Sequence, residues 1–187
     1  MKHKALTVIL ILMNVVFAFA QKERSDIREG NEYYDSNNFV KAEQAYVKAY
    51  KINRDSFEAT FNLGAALYKQ GKWVEAAKQF EKLTTLAVGK EQRAMIFYNY
   101  GNALLKAEMI VESVNAYKMA LKQNPEAQDT RYNLTYALSL LTETSVEPQS
   151  ILEETEQVLQ KIEEQEQMVK RKMREAKTPV RKTGKDW

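Results

Sequence analysis

Apolar residues recur along most of the chain at the three- and four-residue steps of amphipathic α-helices. In the segment 39–52, a single helix face would carry Phe39, Ala42, Ala45, Tyr46 and Ala49. The segment 26–35 has the same character, and the polar pair Asn37-Asn38 between them is typical of a tight turn. The pair Gln70-Gly71 separates the next two segments in the same way. The pattern therefore predicts short helices joined in pairs.

Small residues recur at fixed positions within these helix pairs. The first helix of each pair carries a glycine, at Gly30, Gly64 and Gly101, and the second carries Ala42, Ala76 and Ser113. A glycine inside a helix costs about 1 kcal/mol relative to alanine, so three in one register indicate that the paired helices pack closely. The interval is 34 residues between the first two glycines and 37 between the last two. We therefore expect Thr84–Arg93, which contains Gly89, to form a longer loop or an extra helical turn.

A recurrence of about 34 residues with small residues at fixed offsets is typical of helix-turn-helix arrays. The segments Phe61-Asn62-Leu63-Gly64 and Tyr98-Asn99-Tyr100-Gly101 resemble the first helices of tetratricopeptide repeats. The resemblance implies an all-α, right-handed tetratricopeptide helical solenoid, in which neighbouring units bury each other's apolar faces. We assign this domain to residues 23–141, with repeats at about 23–56, 57–90 and 94–127 and a capping helix at 128–141.

In such a stack, the first helices of successive units line a concave groove. Here the side chains predicted to face it are rich in asparagine and tyrosine: Arg28, Asn31, Tyr34, Phe61, Asn62, Tyr68, Tyr98, Asn99, Asn102, Tyr132, Asn133 and Tyr136. Asparagine can serve both the donor and the acceptor of a peptide backbone, and tyrosine offers a large contact area with a polar tip. Because Asn62, Asn99 and Asn133 recur at one position per unit, we predict a peptide-binding groove. In the alternative interpretation, these asparagines only solvate the inner face.

Some tetratricopeptide domains hold a C-terminal peptide with a carboxylate clamp. By position, Asn31 and Asn62 match two of its five residues, whereas Ile27, Met95 and Asn99 stand where the clamp has basic residues. Because the charges that would hold a carboxylate are missing, we predict that this clamp is absent.

The first 20 residues have the character of a secretory signal peptide. A basic start is followed by an apolar run at 5–17, and Ala18-Phe19-Ala20 supplies a small-x-small cleavage pattern. We predict export with cleavage after Ala20. A retained membrane anchor is the alternative, although the run is shorter than the roughly 20 residues that span a bilayer.

The composition argues against an enzyme. The chain has no cysteine, and its single histidine, His3, lies in the predicted leader. Thiolate zinc sites and cysteine nucleophiles are therefore excluded, and a mature chain without histidine has few options for general-base chemistry at neutral pH. A hydrolase built on the glutamates near the C-terminus would need two of them in one sheltered pocket. We predict no catalytic residue, cofactor or metal, and the net charge of +3 is too small to indicate nucleic acid binding.

The C-terminal part differs from the repeats. Residues 142–150 are polar and predicted to be a linker, and 151–176 carry a dilute apolar stripe among many charges, which predicts a charged amphipathic helix. Residues 177–187 are basic and predicted to be a disordered tail. We expect the helix to dock on another protein, on its own groove or on a neighbour's, the last of which would be self-association.

The whole arrangement resembles the BatC family, the periplasmic tetratricopeptide proteins of the Bacteroides aerotolerance operon. The resemblance rests on the leader, the repeats, the segment Asp129-Thr130-Arg131-Tyr132-Asn133-Leu134 and the ending Gly184-Lys185-Asp186-Trp187. It implies a non-catalytic scaffold in the periplasm that acts in stress tolerance with inner-membrane von Willebrand factor A proteins. The rival function is a periplasmic chaperone or envelope-assembly factor with broad client binding.

Overall fold

The computed structural model of the protein describes residues 2–87, 89–144 and 148–177. Eight α-helices occupy most of these residues: α1 Lys2–Asp35, α2 Phe39–Ile52, α3 Phe57–Lys69, α4 Trp73–Leu83, α5 Lys90–Lys106, α6 Ile110–Gln123, α7 Gln128–Thr144 and α8 Pro148–Lys177. None of the helices in this part of the chain combines the length and the apolar character that crossing a membrane requires.

The helices pack as successive hairpins. The pairs α1 with α2, α3 with α4, and α5 with α6 form three units, and the second helix of each unit packs on the first helix of the next. α7 packs on α6 and closes the series. Each unit thus buries its apolar face against its neighbours. The predicted all-helical, tetratricopeptide-like solenoid is confirmed.

The glycines mark the closest contact within each hairpin. A Cβ atom added to Gly101 would lie 2.6 Å from Cε1 of Tyr117, and one added to Gly64 would lie 3.0 Å from the ring of Phe80. Gly30 lies against the ring of Tyr46 in the same way. All three rings belong to the second helix and are buried. The glycine register therefore reports the approach of an aromatic ring to the facing helix, as the sequence predicted.

Each hairpin turns through one residue in the left-handed conformation. Asn37 has φ 58°, Gly71 has φ 77° and Glu108 has φ 61°. Asparagine and glycine tolerate this conformation, whereas glutamate adopts it less readily. The turns predicted at Asn37-Asn38 and Gln70-Gly71 are therefore confirmed, and the third hairpin uses the same geometry with a less suitable residue.

Several predicted helix boundaries were wrong. α1 begins at Lys2 rather than at residue 26, because the apolar leader continues into the first repeat helix without a helix-breaking residue. α5 begins at Lys90, four residues before the predicted third repeat, so the longer junction is divided between a turn at 84–86 and an extra helical turn.

The predicted linker is also mostly helical. α7 continues to Thr144, and α8 begins at Pro148, since proline is well tolerated in the first turn of a helix. Residues 142–144 and 148–150 therefore belong to helices, and 145–147 lie outside the described residues. The predicted tail, 177–187, begins with the last residue of α8, and the rest of it lies outside the described residues.

The first half of α8 packs on the end of the stack. Ile162 is 4% exposed and belongs to a cluster with Leu121 of α6 and Leu134 of α7. On α6, Lys118 is 4% exposed, and its Nζ lies 2.9 Å from Oε1 of Glu154. The hydrogen bond from Lys118 lowers the pKa of the Glu154 carboxyl. Because α6 is the second helix of its unit, α8 does not lie in the groove between the first helices, which contradicts the prediction that it might dock there.

We predict that Gly101→Ala lowers the free energy of unfolding by about 1–3 kcal/mol, because its Cβ would overlap the buried ring of Tyr117. At an unobstructed helical site, the same change stabilises by about 1 kcal/mol. Urea denaturation measures the difference. Gly64→Ala is the matched control and should cost less, since its nearest contact is 3.0 Å. A Gly101→Ala variant as stable as the wild type would contradict the packing described here.

We also predict that Ile162→Ala destabilises the repeat domain by about 2–4 kcal/mol, because it opens a cavity where α8 meets α6 and α7. Val169→Ala, on the same helix but 51% exposed, should change stability by less than about 0.5 kcal/mol. Equal effects of the two substitutions on thermal unfolding would show that α8 is not docked.

Candidate peptide-binding groove

We use "the groove" for the surface of α1, α3, α5 and α7 that carries the predicted peptide-binding residues. α1 contacts α3, and α5 contacts α7. An open cavity of about 280 Å³ lies between the first pair of helices, and one of about 370 Å³ lies between the second pair. Both cavities have a hydrogen-bonded floor that joins three helices.

In the first cavity, Asn31 of α1 joins two hydrogen bonds. The hydroxyl of Tyr46, on α2, donates to Oδ1 of Asn31 over 2.8 Å. Nδ2 of Asn62, on α3, donates to the same oxygen over 3.0 Å. This arrangement, which we call a relay, links the second helix of one unit to the first helices of that unit and the next.

The second cavity contains the same relay, 71 positions further along the chain. The hydroxyl of Tyr117 donates to Oδ1 of Asn102 over 2.8 Å, and Nδ2 of Asn133 donates to that oxygen over 2.8 Å. The two relays fix the orientation of an asparagine amide in each cavity, because both of its partners are held by packed helices.

The middle unit lacks the relay. Ala65 takes the place of Asn31 and Asn102, and Phe80 takes the place of the two tyrosines. Asn99 therefore has no neighbouring acceptor of that kind, and its Nδ2 donates to the backbone oxygen of Met95 over 2.8 Å. The prediction that Asn62, Asn99 and Asn133 act equivalently was wrong for Asn99, which lines none of the cavities described here.

Burial keeps the relay tyrosines protonated. Desolvation is the main cause that raises the pKa of Tyr46 to about 12, and the Asp35 carboxylate contributes. Desolvation raises the pKa of Tyr117 still further. Both hydroxyls therefore remain hydrogen-bond donors throughout the physiological pH range.

The other predicted residues fall into three cavities. Tyr34 and Phe61 line the first cavity with Asn31 and Asn62. The second cavity is lined by Tyr68, Tyr98, Asn102, Tyr132, Asn133 and Tyr136. Arg28 lies beside these, in a cavity of about 260 Å³ with Arg24 and Glu58. Tyr132 and Tyr136 are 74% and 51% exposed, so both rings are accessible to a ligand.

Two charged groove residues were missed by the sequence reasoning. Asp35, the last residue of α1, lines the first cavity, and Lys106, the last residue of α5, lines the second. The recurrence of Asn31 and Asn102 at 71 positions, visible in the sequence, would have pointed to both. Among the described residues, no group of three or more potential metal ligands occurs.

Comparison with known proteins supports the tetratricopeptide repeat family. A family model described as a TPR repeat matches residues 30–71. No curated protein matches the chain. Similar solved structures exist, however, and all those described below are less than 25% identical to the chain, so they speak for its fold.

The first TPR of Spaghetti (RPAP3), bound to an HSP90 peptide, has a TM-score of 0.60 at 17% identity, covering 65% of this chain and 94% of that one. The second TPR domain of human RPAP3, in complex with an HSP70 peptide, has a TM-score of 0.59 at 17% identity, covering 64% and 97%. The TPR2B domain of yeast Sti1, in complex with an Hsp70 peptide, has a TM-score of 0.58 at 16% identity, covering 65% and 99%.

The positions predicted to lack the carboxylate clamp carry no positive charge in the groove. Ile27 is buried beside Ala49 and Ala59. Met95 is exposed, and Asn99 is bonded to its own helix. A ligand in this groove would therefore meet asparagine amides and tyrosine rings at these sites rather than a cationic cradle.

We predict that the relay can be transferred to the middle unit. Phe80→Tyr alone should destabilise by about 1–3 kcal/mol, because the buried hydroxyl finds no acceptor at Ala65. The double variant Ala65→Asn, Phe80→Tyr should recover most of that loss, since it supplies the acceptor. Urea denaturation of the four proteins gives the coupling energy. A coupling energy of zero would show that the asparagine and tyrosine do not act together.

Proposed function

We propose that this protein is a non-enzymatic scaffold that binds a peptide segment of a partner protein in its groove. The observation that carries the proposal is the pair of relay cavities. Each holds an asparagine amide in a fixed orientation, and one is flanked by the exposed rings of Tyr132 and Tyr136. The structural neighbours described above that hold heat-shock protein peptides show that this fold can serve peptide recognition.

The asparagines suit an extended backbone. Within the described residues, each relay uses one amide hydrogen of Asn62 or Asn133. The carbonyl oxygen and second amide hydrogen of these side chains can then pair with a peptide N–H and C=O. Tyrosine rings beside them add apolar contact at small entropic cost. Sequence-independent backbone contacts would give affinity, and the tyrosine walls would give selectivity.

We further propose a periplasmic location, with the leader removed after Ala20. The described side chains of this part of α1 support this proposal, because Met13, Phe17 and Phe19 are all more than half exposed. Contacts to the repeat domain begin later, where Oε2 of Glu23 accepts a hydrogen bond from Asn53 over 3.2 Å. Cleavage after residue 20 would therefore leave the first unit intact.

The resemblance to the BatC family supports a place in an inner-membrane aerotolerance or stress complex. In this proposal, the partner is a von Willebrand factor A-type membrane protein. The exposed second half of α8 provides a further surface for that partner or for self-association. The alternative, a periplasmic chaperone, would use the same groove for many unfolded clients.

We predict that full-length protein captures a specific partner from solubilised envelopes of its own organism, and that Tyr132→Ala, Tyr136→Ala reduces the capture at least about tenfold. Both rings are exposed, so the fold should persist. The matched control is Val74→Ala, Val111→Ala, which removes exposed apolar side chains from α4 and α6 instead.

Quantitative mass spectrometry of the captured proteins separates the outcomes. One dominant membrane partner supports the scaffold, whereas many unrelated proteins, released by the same groove variant, support the chaperone. Equal capture by wild type and groove variant would contradict peptide binding in the groove. Bait recovered from the periplasm should begin at Gln21, and bait that keeps residues 1–20 would contradict the proposed processing.

A further inference from the structure

The two relay cavities correspond residue for residue. Asn31, Phe61 and Asn62 in the first stand 71 positions before Asn102, Tyr132 and Asn133 in the second. This repetition of a whole cavity, at an interval of two units, distinguishes it from the 34-residue repetition of the fold. The groove thus contains two versions of one site.

The clearest chemical difference between the cavities is the charge at their rims. Asp35 lines the first cavity, and Lys106 occupies the equivalent position in the second. Lys69 holds this position in the middle unit. All three are exposed residues at the C-terminal ends of first helices, so the rim reads acidic, basic, basic along the groove.

The negative charge at Asp35 has no evident role in the fold. A carboxylate at a helix C-terminus is disfavoured by the helix dipole, whereas Lys69 and Lys106 are favoured there. In the described part of the chain, Asp35 makes no ion pair closer than 4 Å. It lies close enough to the cavity to contribute to the raised pKa of Tyr34 and of Tyr46. A basic group bound in this cavity would therefore relieve an unfavourable charge.

The spacing of the sites sets the length of the ligand between them. Packed helices lie about 8–10 Å apart, so two intervals between first helices place the cavities about 16–20 Å apart. An extended peptide rises about 3.3 Å per residue, so this span takes about five or six residues. Lys69 lies about half-way, within reach of a side chain about three residues from the first cavity.

We infer that the two cavities together bind one extended segment of a partner protein, with a basic side chain at Asp35 and an acidic side chain at Lys106, about five or six residues apart. Asn62 and Asn133 hold the backbone at the two ends, and the opposite rim charges fix which end of the segment enters which cavity. The inference rests on the proposed function and specifies its ligand.

The test is a selection from a library of random twelve-residue peptides displayed on phage, against the full chain and against the charge-exchanged variant Asp35→Lys, Lys106→Asp. With the wild type, enriched peptides should carry a basic and an acidic residue five or six positions apart, in one order. With the exchanged variant, the same spacing should appear in the opposite order. An adventitious preference for charge would not reverse.

One enriched peptide then serves as the probe in fluorescence anisotropy. Asp35→Asn and Lys106→Gln should each weaken its binding roughly two- to fivefold, as expected for exposed ion pairs, and added salt should reduce both effects. The controls are Glu32→Gln on α1 and Lys78→Gln on α4, both exposed and outside the cavities. These should leave the affinity unchanged.

The failures can be told apart. Enrichment of peptides that bind through Tyr132 and Tyr136 but show no charge pattern would overturn this inference and leave the proposed groove function standing. No enrichment on the groove, with the same peptides bound by Tyr132→Ala, Tyr136→Ala, would overturn both.

Discussion

The contact between a glycine and an aromatic ring connects the core of this protein to its groove. At Gly101, the missing side chain lets the ring of Tyr117 lie directly against α5. The ring crosses the helix there, and its hydroxyl reaches the next residue, Asn102, on the groove side. Gly30, Tyr46 and Asn31 repeat the arrangement. A single packing constraint therefore also positions the polar groups that a ligand would meet.

The middle unit separates these two roles. Gly64 and Phe80 keep the close approach, but Phe80 has no hydroxyl and Ala65 has no acceptor. Packing thus repeats with every unit, whereas the relay repeats with every second unit. This difference explains why a peptide-binding groove can contain two separate polar sites although three similar hairpins build it.

Local packing rules made much of the fold predictable from the sequence. The glycine register, the turn at Asn37 and the span of α2 each depend on residues close to one another in the chain. The docking of α8 depends on contacts between distant residues, such as Lys118 with Glu154, and the diluted apolar stripe of α8 did not reveal them. The inequivalence of Asn99 also arose from a neighbour, because Ala65 removes the acceptor that the other asparagines use.

The central claim is that the glycine contact controls the groove through the tyrosine. Side-chain amide resonances of the groove asparagines in ¹⁵N-labelled protein test it most directly. In Gly101→Ala, the displaced Tyr117 ring should shift the amide resonances of Asn133, on the next unit, and leave those of Asn62 in place. An unchanged Asn133 amide in a variant whose fold persists would contradict the account.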